Sequence, residues 1–323
     1  MPDTIQLARP VRSGFISGLP KAEIHCHLAG TLRIETLREL AAKNGVFLVN
    51  GGDSYDPRYQ PHAVASLQLL DTVVSTIKDR DDFARVAYEA QIDAFTNANI
   101  RYRELFFNPT QHGAFWATPY SAMVDGLIDG LRQAEKEVGI GGRLIPSINR
   151  EQSPAVATQL VQAVIDNPRD EVVGIGMDAN EMTGPPEAFQ EAFRLAGKHG
   201  IRRTAHAGEW ALPRNVGTTL DLLHCERLDH AYLLASDRDL MARVAGSGMH
   251  IAACWSTSLY HGWENSPENP IAAMKSAGIS VSLNTDDPAV DQTNLNDEYA
   301  MYAHAVGASE ADLEELTLDV LDH

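Results

Sequence analysis

The chain has 323 residues, 44% hydrophobic and 22% charged, the balance of a soluble globular protein and not of a disordered one. Its 26 basic and 44 acidic side chains give a formal net charge of −18, which repels nucleic-acid phosphates and an anionic membrane surface, so neither is expected as a partner. Cys26, Cys225 and Cys254 are widely spaced, with no CxxC pair. That argues against a disulfide framework or a thiolate zinc site, and with neither a signal-like N-terminus nor a membrane-length apolar run it points to a cytoplasmic protein.

In chain order, short apolar runs alternate with longer amphipathic ones. A first strand over Ala22–His27 precedes a helical pattern at Ile34–Lys43 and then an excursion over 49–66 with Gly-Gly, Pro57 and Pro61, read as a possible lid over the barrel mouth. The pattern continues with a helix over Asp81–Asn97, a strand over Tyr102–Phe107, a helix over Tyr120–Glu137 and a strand over Leu144–Ile148. Next come Pro154–Asn167 and Val172–Met177, then Pro186–His199 and Arg203–His206, again helix before strand. The helices Val216–Leu223, Asp237–Ala245 and Asn269–Ser276 then interleave with the strands Arg227–His230, His250–Cys254 and Ser280–Asn284. One further helical pattern follows before Leu321-Asp322-His323, so the last barrel helix is expected to be clipped. Eight alternating units predict an α/β fold, a TIM-type (β/α)8 barrel formed as a single domain over 1–323, because parallel neighbours need a helical crossover. A doubly wound open sheet is disfavoured, since no glycine-rich phosphate loop follows the first strand.

The chemistry sits at the strand ends. His25 and His27, two apart on one strand, share a face and can grip one ion. His206 closes the fifth strand and Asp286 follows the eighth. Three nitrogens and one carboxylate leave a position for water, as in catalytic and not structural zinc, although iron, cobalt and manganese suit the same donors. Glu209, three residues past His206, is placed to donate a proton, and His230 to accept one from the water. Asp287 is expected to point away from Asp286 and toward a substrate heteroatom. Each has a plainer reading alone: Glu209 as a surface carboxylate, His230 as a packed histidine, Asp287 as a helix cap. Together, at the ends of strands on one side, they read as a site.

The segments Leu19-Pro-Lys-Ala-Glu-Ile-His-Cys-His-Leu28, His206-Ala-Gly-Glu209, Arg227-Leu-Asp-His230 and Ser282-Leu-Asn-Thr-Asp-Asp-Pro288 resemble the motif set of the adenosine and adenine deaminases of the amidohydrolase superfamily. The resemblance implies a zinc-containing barrel, with one Zn²⁺ per chain, that hydrolyses the 6-amino group of a purine and releases ammonia. By the same resemblance His25, His27, His206 and Asp286 bind the zinc. Glu209 protonates N1, His230 assists attack of zinc hydroxide at C6, and Asp287 hydrogen-bonds N7.

The chain departs from that pattern around the pocket. An acidic residue that usually follows the HxHL motif is Ala29 here, and the usual Cys-Pro-x-Ser-Asn is Cys254-Trp-Ser-Thr-Ser258. Ala231 stands where a glycine follows the histidine. The Asp178-Ala-Asn-Glu181 segment and the run Phe106–His112 look more like the adenine branch. Ala29, Ala179, Trp210 and Trp255, with Asp287, are therefore expected to line a pocket that takes an apolar or enlarged group, or a purine-like ring other than that of adenosine. Two other readings stay open: an amidohydrolase acting on a non-purine ring amine or amide, and a non-catalytic barrel protein.

Overall fold

A computed structural model of the chain describes residues 11–49, 51, 63–112 and 118–322. Apart from Val49, Gly51 and the start of a helix at 63–66, the expected excursion lies outside the described residues. The strands are β1 (Lys21–His27), β2 (Ile100–Phe107), β3 (Gly141–Asn149), β4 (Gly174–Asp178), β5 (Arg202–Arg203), β6 (His206–Ala207), β7 (Arg227–His230), β8 (His250–Ala253) and β9 (Ser280–Leu283). They pair in parallel in two ladders, β1 through β5 and β6 through β9, both in sequence order. The stretch expected as one fifth strand is thus two, with Thr204 and Ala205 between them. Backbone bonds still carry the pairing through the gap, from Thr204 N–H to Ile175 O and from Asp229 N–H to Ala205 O, both 3.0 Å. With helices between the strands, this is the TIM-type α/β barrel that the alternation predicts.

The ring meets itself where β1 faces the residues that follow β9. Cys26 bridges Asp286 in parallel. His27 N–H donates to Asp286 O at 2.8 Å, and Asp286 N–H to His25 O at 3.3 Å. Against β2, the register runs Glu23 to Arg103 and then Cys26 to Leu105, three residues opposite two, which is a β-bulge at Ile24 and His25. A bulge leaves backbone amides without ladder partners. Here the Asn284 side-chain oxygen accepts from both Ile24 N–H (2.9 Å) and His25 N–H (3.1 Å). Beside it the buried Glu23 carboxylate pairs with Arg103 and accepts from the Thr285 amide (2.8 Å) and hydroxyl (2.6 Å).

The predicted helices are present, as Ile34–Asn44, Arg80–Ala98, Tyr120–Val138, Pro154–Asp166, Gln190–Lys198, Arg238–Ser247 and Pro270–Ser276. The expected Val216–Leu223 helix is a short Pro213–Thr218 helix running into a wider π-type turn over Thr219–Leu223. Among the described residues three helices went unforeseen, Phe15–Gly18, Ala63–Thr76 and Trp255–Tyr260, and two rather than one follow β9, Leu295–Val306 and Glu310–Asp319. Among the described residues no helix is long and apolar enough to cross a membrane.

Replacing Asn284 with Ala removes one acceptor from two buried amides. The expected cost is about 3 kcal/mol, read as a lower urea midpoint at unchanged slope. A loss below about 1 kcal/mol would mean that the bulge amides find another acceptor.

Candidate active site

Side chains of period two put His25 and His27 on one face of β1, with His25 in the bulge and His27 lining the cavity. Behind the rings, His25 Nδ1 lies within hydrogen-bond reach of Ala252 O at 3.2 Å. His27 Nδ1 is 3.6 Å from an Asp178 oxygen and His206 Nδ1 3.4 Å from Asp229 Oδ2, which accepts from Thr204 Oγ1 at 2.8 Å. These two are close charge contacts without hydrogen-bond geometry, and each ring turns its Nε2 toward the others. Those Nε2 atoms converge: His27 to His206 at 3.1 Å, and His25 and His27 to Asp286 Oδ1 at 3.2 and 3.3 Å. A tetrahedral ion with bonds of about 2.0–2.1 Å needs donor-to-donor edges of about 3.3 Å, and these three of the six edges match it.

His230 also reaches this cluster: donor atoms of His25, His206, His230 and Asp286 all lie within 4.8 Å of one another. Its backing differs. His230 Nδ1 lies 3.0 Å from the Tyr232 hydroxyl, which donates to Cys254 O at 2.8 Å and so accepts from Nδ1–H. That leaves Nε2 unprotonated, 3.8 Å from Glu209 Oε2 and 3.9 Å from Asp286 Oδ2. Burial is the largest influence on His230 and holds its pKa down to about 3, so it is a neutral imidazole near neutral pH. His27 behaves oppositely. Burial again disfavours its charge, but its hydrogen bond to Asp286 and the charges of Asp287, Asp286 and Asp178 outweigh that and raise it to about 10. So much buried negative charge calls for a cation.

Glu209 emerges from the turn after β6. Gly208 there has φ +67° and has Val216 against the position a side chain would take, so glycine is required. The turn is clamped by Glu181, whose buried carboxylate accepts from the amides of Gly208 (2.6 Å) and Glu209 (3.0 Å) and from Asn215 Nδ2 (3.0 Å). His261 Nε2 lies 2.7 Å from Glu209 Oε1. Burial favours the neutral Glu209 carboxyl, yet the His230 and His261 partners hold it down to about 2. Asp287 is raised to about 7 by burial and then by the neighbouring Asp286 charge. Its Oδ1 has no hydrogen-bond partner within the protein. A Cβ at Gly30 would overlap Asp287, so only glycine there admits it.

One cavity of about 890 Å³, counted with its open mouth, takes in His27, His206, Glu209, His230, Asp286 and Asp287. Ala29, Ala179 and Trp210 line it as expected. Trp255 does not. It is fully buried, its indole N–H donates to Asn265 Oδ1 at 2.9 Å, and its ring packs edge-on to Tyr302. The expectation of a pocket tryptophan at 255 is corrected accordingly. Sequence reasoning gave no role to Asp229, Glu181 or Asp178, although the motifs contain them. It also missed His261 and the apolar wall of Leu67, Leu70 and Val74.

The family model for adenosine deaminase matches residues 20–322. An adenine deaminase of Zymomonas mobilis is 30% identical over 312 residues, 94% of this chain and 90% of that protein. An adenosine deaminase of Serratia proteamaculans is 31% identical over 304 residues, 92% and 91% of the two chains. Among solved structures, an amidohydrolase from Burkholderia ambifaria with bound zinc superposes with a TM-score of 0.89 at 34% identity, covering 98% of this chain and 90% of that one.

Replacing Glu181 with Ala strips a buried anion from two amides and Asn215. A stability loss of about 3 kcal/mol is expected in urea unfolding. An unchanged midpoint would show that the clamp on the Glu209 turn carries no strain.

Proposed function

The chain belongs to the adenosine deaminase family, and from that premise we propose that it is a zinc-dependent hydrolytic deaminase of a 6-aminopurine, base or nucleoside, attacked at C6 with release of ammonia. The observation that supports this is the convergence of histidine Nε2 atoms on one another and on Asp286, with three separations of 3.1–3.3 Å, beside Glu209, His230 and the unpartnered Asp287 carboxyl in one cavity. His25, His27, His206 and Asp286 would hold one ion per chain. Zinc so held would supply Lewis acidity and lower the pKa of a water to about 7.

The protein's own groups do the rest. His230, neutral and backed by Tyr232, accepts a proton from oxygen at Nε2 and returns it to the departing amine. Glu209 gives a proton to N1, which keeps negative charge from building on the ring as its aromaticity breaks. Asp287 hydrogen-bonds N7; because N7 is an acceptor, the carboxyl supplies the proton.

The cavity favours a base or nucleoside over a phosphorylated substrate, since no Lys or Arg is among its described lining residues. Leu67, Leu70, Val74 and Ala29 offer room and apolar surface for a substituent on an adenine-like ring. Residues 1–323 acting as one domain, and a cytoplasmic location, belong to the same reading; the free, buried Cys26, Cys225 and Cys254 support the latter.

The test is ammonia release by zinc-loaded protein from adenine, adenosine, N6-substituted adenines, larger adenine nucleosides and non-purine aminated heterocycles. Turnover of a purine is expected. Deamination of non-purine rings alone would replace the reading with a related amidohydrolase. Glu209→Gln is expected to lower kcat by about 10²–10⁴-fold with zinc retained, and loss of zinc in it would mean the ligands are misassigned. His27→Ala is expected to lose zinc and His230→Ala to keep it while losing turnover; the reverse pattern in metal analysis would make His230 the ligand.

A further inference from the structure

The deaminase reading leaves a gap at its acid. Glu209 has to hand a proton to the ring, yet a carboxyl held near 2 does not carry one of its own at neutral pH. The proton has to reside next to it. His261 Nε2, 2.7 Å from Glu209 Oε1, is the adjacent group that can hold it.

His261 directly follows the Trp255–Tyr260 helix, its amide bonded back to Thr257 O at 3.0 Å. Its ring lines the cavity and is 10% exposed. It lies parallel to the Trp210 indole, with ring centres 6.2 Å apart and planes 13° apart, so Trp210 and Glu209 hold it from one turn. Tyr260 and Tyr232 flank it at 6.0 and 6.3 Å. The charges that face it are Glu209, then Asp286 and Glu181, all negative. Burial disfavours the imidazolium, but those carboxylates raise His261 above its ordinary 6.5.

We propose that His261 and Glu209 form one proton-carrying pair, with His261 as the positioning residue that aims the carboxyl and recharges it. The proposal rests on the deaminase reading for its purpose, not for its geometry. Hydrolysis of the amine consumes one water, whose two protons end on the ring nitrogen and on the departing ammonia. The pair lends the ring its proton: the proton leaves His261 Nε2 for the Glu209 carboxylate and passes on from that carboxyl to N1, which leaves His261 neutral and Glu209 again a carboxylate. The pair, now one proton short, regains through solvent the proton that the water loses. His230 moves the second proton from oxygen to nitrogen. Such coupled groups titrate together, so the pair is the acid below a shared apparent pKa, and activity falls as pH rises through it.

Two measurements test this on the full-length, zinc-loaded protein. In an NMR titration the His261 ring signal is identified by its loss in His261→Gln. Its apparent pKa is expected above 6.5, falling by at least about one unit in Glu209→Gln. Titration at or below 6.5, or no change in Glu209→Gln, would overturn the pair. In kinetics, His261→Gln keeps a hydrogen-bond donor but carries no exchangeable charge. The alkaline limb of its kcat/KM profile is expected at least about one unit lower, with kcat down about 10-fold or more at pH 8 and KM nearly unchanged. A profile that superimposes on the wild type would show that His261 only packs. A wild-type protein that deaminates nothing would count against the underlying reading; the titration would still decide the pair.

Discussion

The site depends on how one irregularity is closed. β1 carries a bulge at Ile24 and His25, so the first of its two histidines sits in the bulge and the second, His27, lines the cavity. Asn284 lies across it, accepting both freed amides and donating to Ala253 O and Ser282 Oγ at 3.2 and 3.1 Å. One side chain therefore ties the first strand to the last two. The next residue, Thr285, is held by Glu23 of the same bulged segment, and the one after that is Asp286. His25, His27 and Asp286 come from opposite ends of the sequence, yet their spacing is fixed by backbone bonds within a few residues of each. Preorganisation of this kind makes donor separations of 3.2 and 3.3 Å a property of the fold and not of whatever binds there.

Electrostatics explain why that rigidity is needed. Asp178, Asp229, Asp286 and Glu181 are all buried around three imidazoles. Glu23 pairs with Arg103 and Glu104 with Arg227, while Glu181 is met by backbone amides. Asp178, Asp229 and Asp286 instead lie beside histidine nitrogens, with Arg227 Nε also 4.0 Å from Asp229. A cation held among the imidazoles would balance that charge. Glu209 and His230 have partners of their own apart from this balance, His261 and Tyr232.

Much of this was legible because parallel barrels write their chemistry at strand ends, where His25, His27, His206, His230 and Asp286 stand next to recognisable apolar runs. What escaped was set by packing that no local pattern encodes. Trp255 adjoins a strand end and looked like a pocket wall. Its amide donates to buried Glu298 at 2.6 Å, starting a helix whose geometry swings the indole toward Tyr302. His261, six residues on, comes round to the cavity instead. The Ala63–Thr76 helix begins within the stretch whose Gly-Gly and prolines read as an excursion, so no sequence pattern marks Leu67, Leu70 and Val74 as cavity residues. Glu181 stands in a motif, but its work as a clamp appears only with the amides of Gly208 and Glu209 around it.

A strict period of two would have sent Asp286 and Asp287 to opposite faces. Both line the cavity because Asp286 is not in a strand conformation: its φ is +60°. Left-handed backbone costs a non-glycine residue roughly 1–2 kcal/mol, and here it is held by bonds from Asp286 N–H to His25 O and from His27 N–H to Asp286 O. Ala179 after β4 and His230 at the end of β7 make the same turn, with φ of +67° and +66°, and both line the cavity. Breaking the alternation where a strand ends lets neighbouring residues serve different partners across one peptide unit. Asp286 thereby turns to the histidine nitrogens while Asp287, admitted by the missing side chain of Gly30, lines the cavity beside it. Regular strands would have had to take that second carboxyl from another element, at the cost of the fixed spacing between the two.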